Sequence, residues 1–199
     1  YQPEVFGLLE DLAREGKIRF CGVSVNRVEE GLKAIEYPVV QSVQLVYNIF
    51  RQRPADLFLA QAKRRNVGVL ARLPLSSGML TGKLTPQTRF ESDDHRSYNR
   101  GGEAFDRGET FSGVDYDIAL AAVDLLAPFV GPEVTMAQWA LRWILMNEAV
   151  SCVIPGGRRP EQIEENVGAA DLPPIPGAVM SAAREIYESQ IKPLVHHYW

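Results

Sequence analysis

Four short apolar runs of strand length, separated by stretches of helical spacing, restrict this chain to a sheet-and-helix architecture. The runs are Ile18 to Val25, Val39 to Asn48, Val67 to Leu75 and Val150 to Ile154. The second alternates and is rich in β-branched residues, which suits a pleated surface. Strands that are largely apolar throughout read as covered on both faces, and with intervening helices they predict a parallel sheet. Helices are predicted at Pro3 to Glu15, where Val5, Leu8, Leu9 and Leu12 share a side and Gly16 ends the run. Others are predicted at Val28 to Glu36 and at Pro54 to Arg65, the latter closed by Asn66. Further on they fall near Asp117 to Val130, Met136 to Asn147 (with Thr135 as N-cap), Pro160 to Ala170 and Ala178 to Ile191. No repeat and no linker divides residues 1–199, so one domain is expected.

The segment from Val150 to Asn166 reads as a short buried strand, a glycine turn and a helix opening at Pro160 with Glu161, Glu164 and Glu165 in its first turns. Free backbone N–H groups and the positive end of the helix dipole meet at such a turn and favour an anion. Arg158 and Arg159 add two forked cations suited to phosphate. From spacing alone, an ordinary βα turn beside two solvated arginines fits as well.

Residues 84–116 break the rhythm. They mix Asp93, Asp94, His95 and Arg96 with Gly101, Gly102, Gly108 and Gly113, without periodicity. A connection this long inside a domain is either a functional loop or a disordered one. Its aromatics (Phe90, Tyr98, Phe105, Phe111, Tyr116) favour an ordered loop packed on something, over the C-terminal face if the sheet is a barrel.

Composition closes off several alternatives. With 46% hydrophobic and 23% charged residues, 199 residues support a globular domain. A net charge of −4 leaves no basic stripe for nucleic acid. No run has the apolar length of a membrane span, and the opening residues lack a signal segment. Cys21 and Cys152 lie in apolar runs, so they read as buried thiols of a reducing, cytoplasmic compartment. His95, without a second spaced ligand pair, makes no metal site. Tyr47, Met136, Trp139, Trp143 and Met146 read as core, and His196 and His197 as solvated or packing residues.

Four segments, in order, resemble the aldo-keto reductase family. Glu15 to Ser24 (EGKIRFCGVS) is similar to the family's fifth strand with its preceding turn, and Ser42 to Asn48 (SVQLVYN) to its sixth strand. Leu73 to Lys83 (LPLSSGMLTGK) is similar to the seventh strand and following turn, and Ile154 to Asn166 to the eighth strand and cofactor-clamping helix. The resemblance implies an α/β fold of the (β/α)8 TIM-barrel type, with only about the last four βα units in this chain. It also implies NADPH as cofactor and reduction of a small carbonyl substrate.

Its site residues carry over one at a time. Ser24 and Gln44 match partners of the nicotinamide carboxamide. The family usually places Asn directly after the serine, whereas here Val25 intervenes and Asn26 follows. Arg72 stands where the family often has an aromatic residue stacked on nicotinamide, a role that a planar guanidinium can also fill. Leu73 and Leu75 match backbone or packing contacts, and Ser77, Gly78 and Lys83 the pyrophosphate-binding turn. Gly156, Gly157 and Arg158 match the 2′-phosphate segment, and Gln162, Glu165 and Asn166 the adenosine contacts. Glu165 and Asn166 read equally well as helix-surface residues.

The family's catalytic Tyr, Lys, Asp and His belong to the second to fourth strands, which have no counterpart here, so no catalytic residue is assigned. Two accounts follow. One is a reductase of which this chain supplies the cofactor-binding half, the other half lying upstream. The other is a non-catalytic NADPH-binding half-barrel that dimerises, because an open sheet presents unpaired edges.

Overall fold

In the computed structural model, which describes residues 2–199, the segments form in the expected order. Helix α1 (Pro3–Arg14) ends at Gly16, whose φ of 73° is a left-handed conformation that favours glycine. Strand β1 (Cys21–Ser24), helix α2 (Val28–Ala34), strand β2 (Val40–Val46), helix α3 (Phe58–Arg64) and strand β3 (Gly68–Arg72) follow. After the long loop come α5 (Tyr116–Leu126) and α6 (Met136–Leu145), then β4 (Cys152–Val153), α7 (Pro160–Gly168), α8 (Gly177–Ile186) and α9 (Lys192–Val195). The loop itself contains one turn of helix, α4 (His95–Tyr98). The strands lie in the order β1-β2-β3-β4, all parallel.

The predicted boundaries run long. The helix expected from Pro54 is a 3₁₀ turn at Arg53–Ala55 followed by α3, with the break at Leu57 (φ −144°). Helix α8 continues as a π-helical stretch, Tyr187–Ile191. Thr135 caps α6 as expected. Its hydroxyl accepts the Gln138 N–H at 3.2 Å, and the Gln138 side chain accepts the Thr135 N–H at 3.2 Å.

The expectation of strands covered on both faces is corrected. Val43, Leu45, Val69 and Ala71 are buried in the core, which also holds Phe58, Trp139 and Trp143. The alternate residues Gly22, Ser24, Ser42, Gln44 and Leu70 line an open groove. Helices cover one face, and the other stays open. Among the described residues strand β4 pairs only with β3, through Leu70–Cys152 and Ala71–Val153. Cys152 and Ile154 are therefore exposed, contrary to the buried strand and buried thiol expected there. Cys21 is half-buried, and burial raises its thiol pKa. Val5 and Leu8 of α1 are also exposed, so that helix buries only Phe6, which stacks on Tyr37 at 4.0 Å.

The loop at 84–116 is ordered by its aromatics and by buried polar groups. Phe111 packs on Tyr116 (5.2 Å between centroids) and Phe90 packs edge-on to Tyr116 (6.3 Å). Buried Asn99 accepts the N–H groups of Ala104 and Phe105 at 2.8 and 3.0 Å. Tyr98 and Phe105 remain exposed.

Candidate functional site

The parallel register sets Ser24 of β1 directly opposite Gln44 of β2, where the Ser24 hydroxyl lies 3.4 Å from Gln44 Oε1. Both lie on the open face of the sheet. One strand further, Val46 pairs with Arg72, the last residue of β3. The Arg72 guanidinium reaches back to the β1–α2 junction, donating through Nη2 to Asn26 Oδ1 at 2.6 Å and to the Val25 carbonyl at 3.3 Å. Its Nη1 donates to Glu109 Oε1 at 2.5 Å, from the long loop. Asn26 is also held from its own helix, where Glu30 accepts its backbone N–H at 3.0 Å. Four of the expected residues are thereby brought together in two pairs: Ser24 with Gln44 by register, and Asn26 with Arg72 by a hydrogen bond.

The turn after β3 is built from left-handed residues. Leu73 (φ 51°), Ser76 (φ 49°), Ser77 (φ 56°) and Gly78 (φ 94°) follow in quick succession. Left-handed non-glycine residues are costly and persist where their surroundings over-determine them. Here the Leu73 carbonyl accepts Asn48 Nδ2 at 2.8 Å, and Leu75 O accepts the N–H of Gly78 and of Leu80. Ser76 and Ser112 share a buried hydroxyl contact of 2.9 Å. The Ser77 hydroxyl donates to Glu109 O at 3.0 Å and accepts the Phe111 N–H at 3.1 Å, so it fastens the long loop to this turn. Lys83 is exposed just beyond.

The glycine turn after β4 is exposed, as are Arg158 and Arg159, and neither arginine has an ion-pair partner among the described residues. Gln162 Oε1 accepts the backbone N–H groups of both arginines (2.8 and 3.2 Å), closing the turn onto the start of α7. A Cβ on Gly157 would collide with the Ile163 side chain, whereas Gly156 has open space around it. Asn166 Nδ2 donates to the Gly156 carbonyl at 3.4 Å. Glu165 accepts the Thr135 hydroxyl at 2.5 Å, which ties α7 to α6. No hydrogen bond joins this group to Ser24, Gln44 or Arg72 among the described residues.

Glu109, Asn48 and Ser112 hold the site together without any motif to announce them. Tyr47 is core, as expected. It packs on Trp143 (5.4 Å), and burial pushes its hydroxyl up to about 12, partly offset by a hydrogen bond from Asn147. His95 meets Thr110 at 3.1 Å, and the described residues contain no group of three metal-ligating side chains. His196 lies 3.0 Å from Asp56 and 2.8 Å from the Tyr187 hydroxyl, a packing position. No described helix is long and apolar enough to cross a membrane.

Asp94 caps α4 and grips Arg96, accepting its backbone N–H and Nε at 2.9 Å and its Nη2 at 2.6 Å. These bonds hold the Asp94 carboxyl at about 2, below its usual 3.8. A carboxylate lowered on folding stabilises above its unfolded pKa, and that stabilisation fades as pH falls through the folded value. Asp94→Asn is therefore expected to lower the urea midpoint by a constant amount above pH ~4, and by progressively less towards pH ~2. A difference that persists unchanged to the acid end would count against the ion pair.

Comparison with known proteins agrees with this architecture. The chain is 27% identical over 194 residues to an uncharacterized oxidoreductase, YqkF, of Bacillus subtilis, covering 98% of this chain and 55% of that protein. It is 30% identical over 172 residues to an L-glyceraldehyde 3-phosphate reductase of Escherichia coli O157:H7, covering 83% of this chain and 48% of that one. The solved structure of the glycerol dehydrogenase AKR11B4 from Gluconobacter oxydans matches at 28% identity with a TM-score of 0.70, over 92% of this chain and 53% of that chain. The chain thus spans about half the length of the relatives it matches. A sequence model of the aldo/keto reductase family covers residues 1–188, and with that match the chain belongs to the aldo/keto reductase family.

Proposed function

We propose that these residues form the cofactor-binding half, equivalent to the last four βα units, of an NADPH-dependent reductase that converts aldehydes or ketones to alcohols. The observation that carries this is the pairing of Ser24 with Gln44 on the uncovered face of the sheet, 3.4 Å apart at the C-terminal end of β1. A hydroxyl and a carboxamide side by side there offer donors and acceptors to a planar amide such as that of nicotinamide. Three acceptors occupy the Arg72 donors in its plane, which leaves the flat faces of the guanidinium to stack on a ring. The turn at Ser77 and Gly78, with exposed Lys83, suits a diphosphate. The unpaired Arg158 and Arg159 suit a 2′-phosphate, which distinguishes NADPH from NADH.

When bound, the cofactor supplies hydride, and these residues bind and orient it. The proton for the carbonyl oxygen comes from elsewhere in the enzyme, because Tyr47 is buried against Trp143. A small carbonyl compound is the proposed partner, and a reducing cytoplasm suits the two free cysteines. Titrating the chain with NADPH, followed by nicotinamide fluorescence, is expected to give saturable binding without turnover of an added aldehyde. No binding would overturn the proposal, and turnover would place the acid within this chain.

The single neighbour of β1 and of β4 favours a second account, a cofactor-binding module closed by a second copy of itself. Sedimentation of the same sample separates the two, with a stable dimer pointing to the module.

A further inference from the structure

We infer that Glu109 is a positioning residue for the nicotinamide end of the cofactor, acting through Arg72; the inference rests on the cofactor site proposed above. Arg72 ends β3, and the three groups that aim it come from two distant segments. Val25 and Asn26 hold Nη2 from the β1–α2 junction, and Glu109 alone holds Nη1 from the long loop. Arg72 Nε is buried without a partner, so the guanidinium is oriented entirely by its two terminal nitrogens. The Arg72 and Glu109 side chains keep only 12% and 28% of their exposure, which makes this pair much less screened than the surface ion pairs of the molecule.

Glu109 is itself well placed to act as a fixed stop. Its backbone carbonyl accepts the Ser77 hydroxyl at 3.0 Å, and the Ser77 oxygen in turn accepts the Phe111 N–H at 3.1 Å. The diphosphate turn and the Arg72 strut therefore share one anchor in the loop. Without the Glu109 carboxylate, Arg72 keeps two acceptors on one nitrogen and is free to swing about them. A planar group must be held within a small angle to stack, so this freedom costs affinity only where the ring lies.

The consequence is a selective one. Glu109→Ala is expected to weaken NADPH binding about 5- to 20-fold, while adenosine 2′,5′-bisphosphate, which lacks the nicotinamide, binds within about twofold of the wild-type chain. Glu109→Met removes the acceptor and keeps most of the side-chain bulk, and it repeats the comparison should the alanine variant fail to fold. NADPH binding equal to wild type in these variants would overturn the inference and leave the cofactor site standing. Equal weakening of both ligands would also overturn it, because that is the mark of a general structural role. Wild-type chain that binds neither ligand would instead remove the cofactor site, and this inference with it.

Discussion

Replacing Trp199 with alanine is expected to lower the stability of the chain by about 3–5 kcal/mol, the range for deleting a large buried aromatic side chain. Trp199 is 6% exposed, and its indole N–H donates to both Asp106 oxygens, at 3.0 and 3.2 Å. The ring lies over the Arg51 guanidinium at 3.8 Å. Gly113 approaches it so closely that an added Cβ would sit 2.5 Å from a ring carbon. Arg51 is only 2% exposed, donates through Nη2 to the carbonyls of Gly108 (3.4 Å) and Ser112 (3.1 Å), and has no partner for Nε. Burial pushes its pKa down to about 9 against the opposing pull of Asp106, so the group stays charged at neutral pH. Removing the indole therefore opens a cavity and also strips the cover from a buried cation. Trp199→Phe keeps a ring over Arg51 and loses the N–H, with about 1–2 kcal/mol expected. Urea unfolding of the three proteins checks this, and an alanine variant no worse than the phenylalanine one would mean that the Asp106 hydrogen bond, not the ring, matters.

The order of strands and helices was legible because its signals are local. Apolar runs, the glycine at position 16, the threonine cap at 135 and the proline at 160 each act within a few residues, and each marked its element, although the strands are shorter than the runs. What covers an element is not local, and there the sequence misled. Cys152 and Ile154 read as buried because they are apolar, yet β4 has a neighbour on one side alone among the described residues and both stay exposed. The same holds for Val5 and Leu8. The candidate site was named where motifs carried it, and there Ser24 and Gln44 came together as strand neighbours while Gly157 proved too crowded for a side chain. Glu109 and Trp199 had no motif, because their partners Arg72 and Asp106 lie 37 and 93 residues away. An aperiodic loop hides such pairings, since nothing in its spacing indicates which residue faces which strand.

Exchanging Arg158 and Arg159 together for alanine is expected to have the largest effect on ligand binding, weakening NADPH about 10- to 100-fold and NADH by no more than about twofold. The two guanidiniums are exposed and without ion-pair partners among the described residues, so nothing in the folded chain competes for them. Their backbone N–H groups are already bound to Gln162, which fixes where the side chains start without using their charge. The alanine variant keeps that turn, because Gln162 bonds only to main chain there. Fold and the proposed phosphate recognition are thereby separable by experiment at this point. Exposure also means screening, so the NADPH preference of the wild-type chain is expected to shrink as salt rises from about 0.05 M to 0.5 M, across which the Debye length falls from roughly 14 to 4 Å. Paired titrations with NADPH and NADH decide the assignment. Equal loss for both would move the arginines to the diphosphate that the two cofactors share, and no loss for either would leave this turn an ordinary βα connection beside two solvated cations.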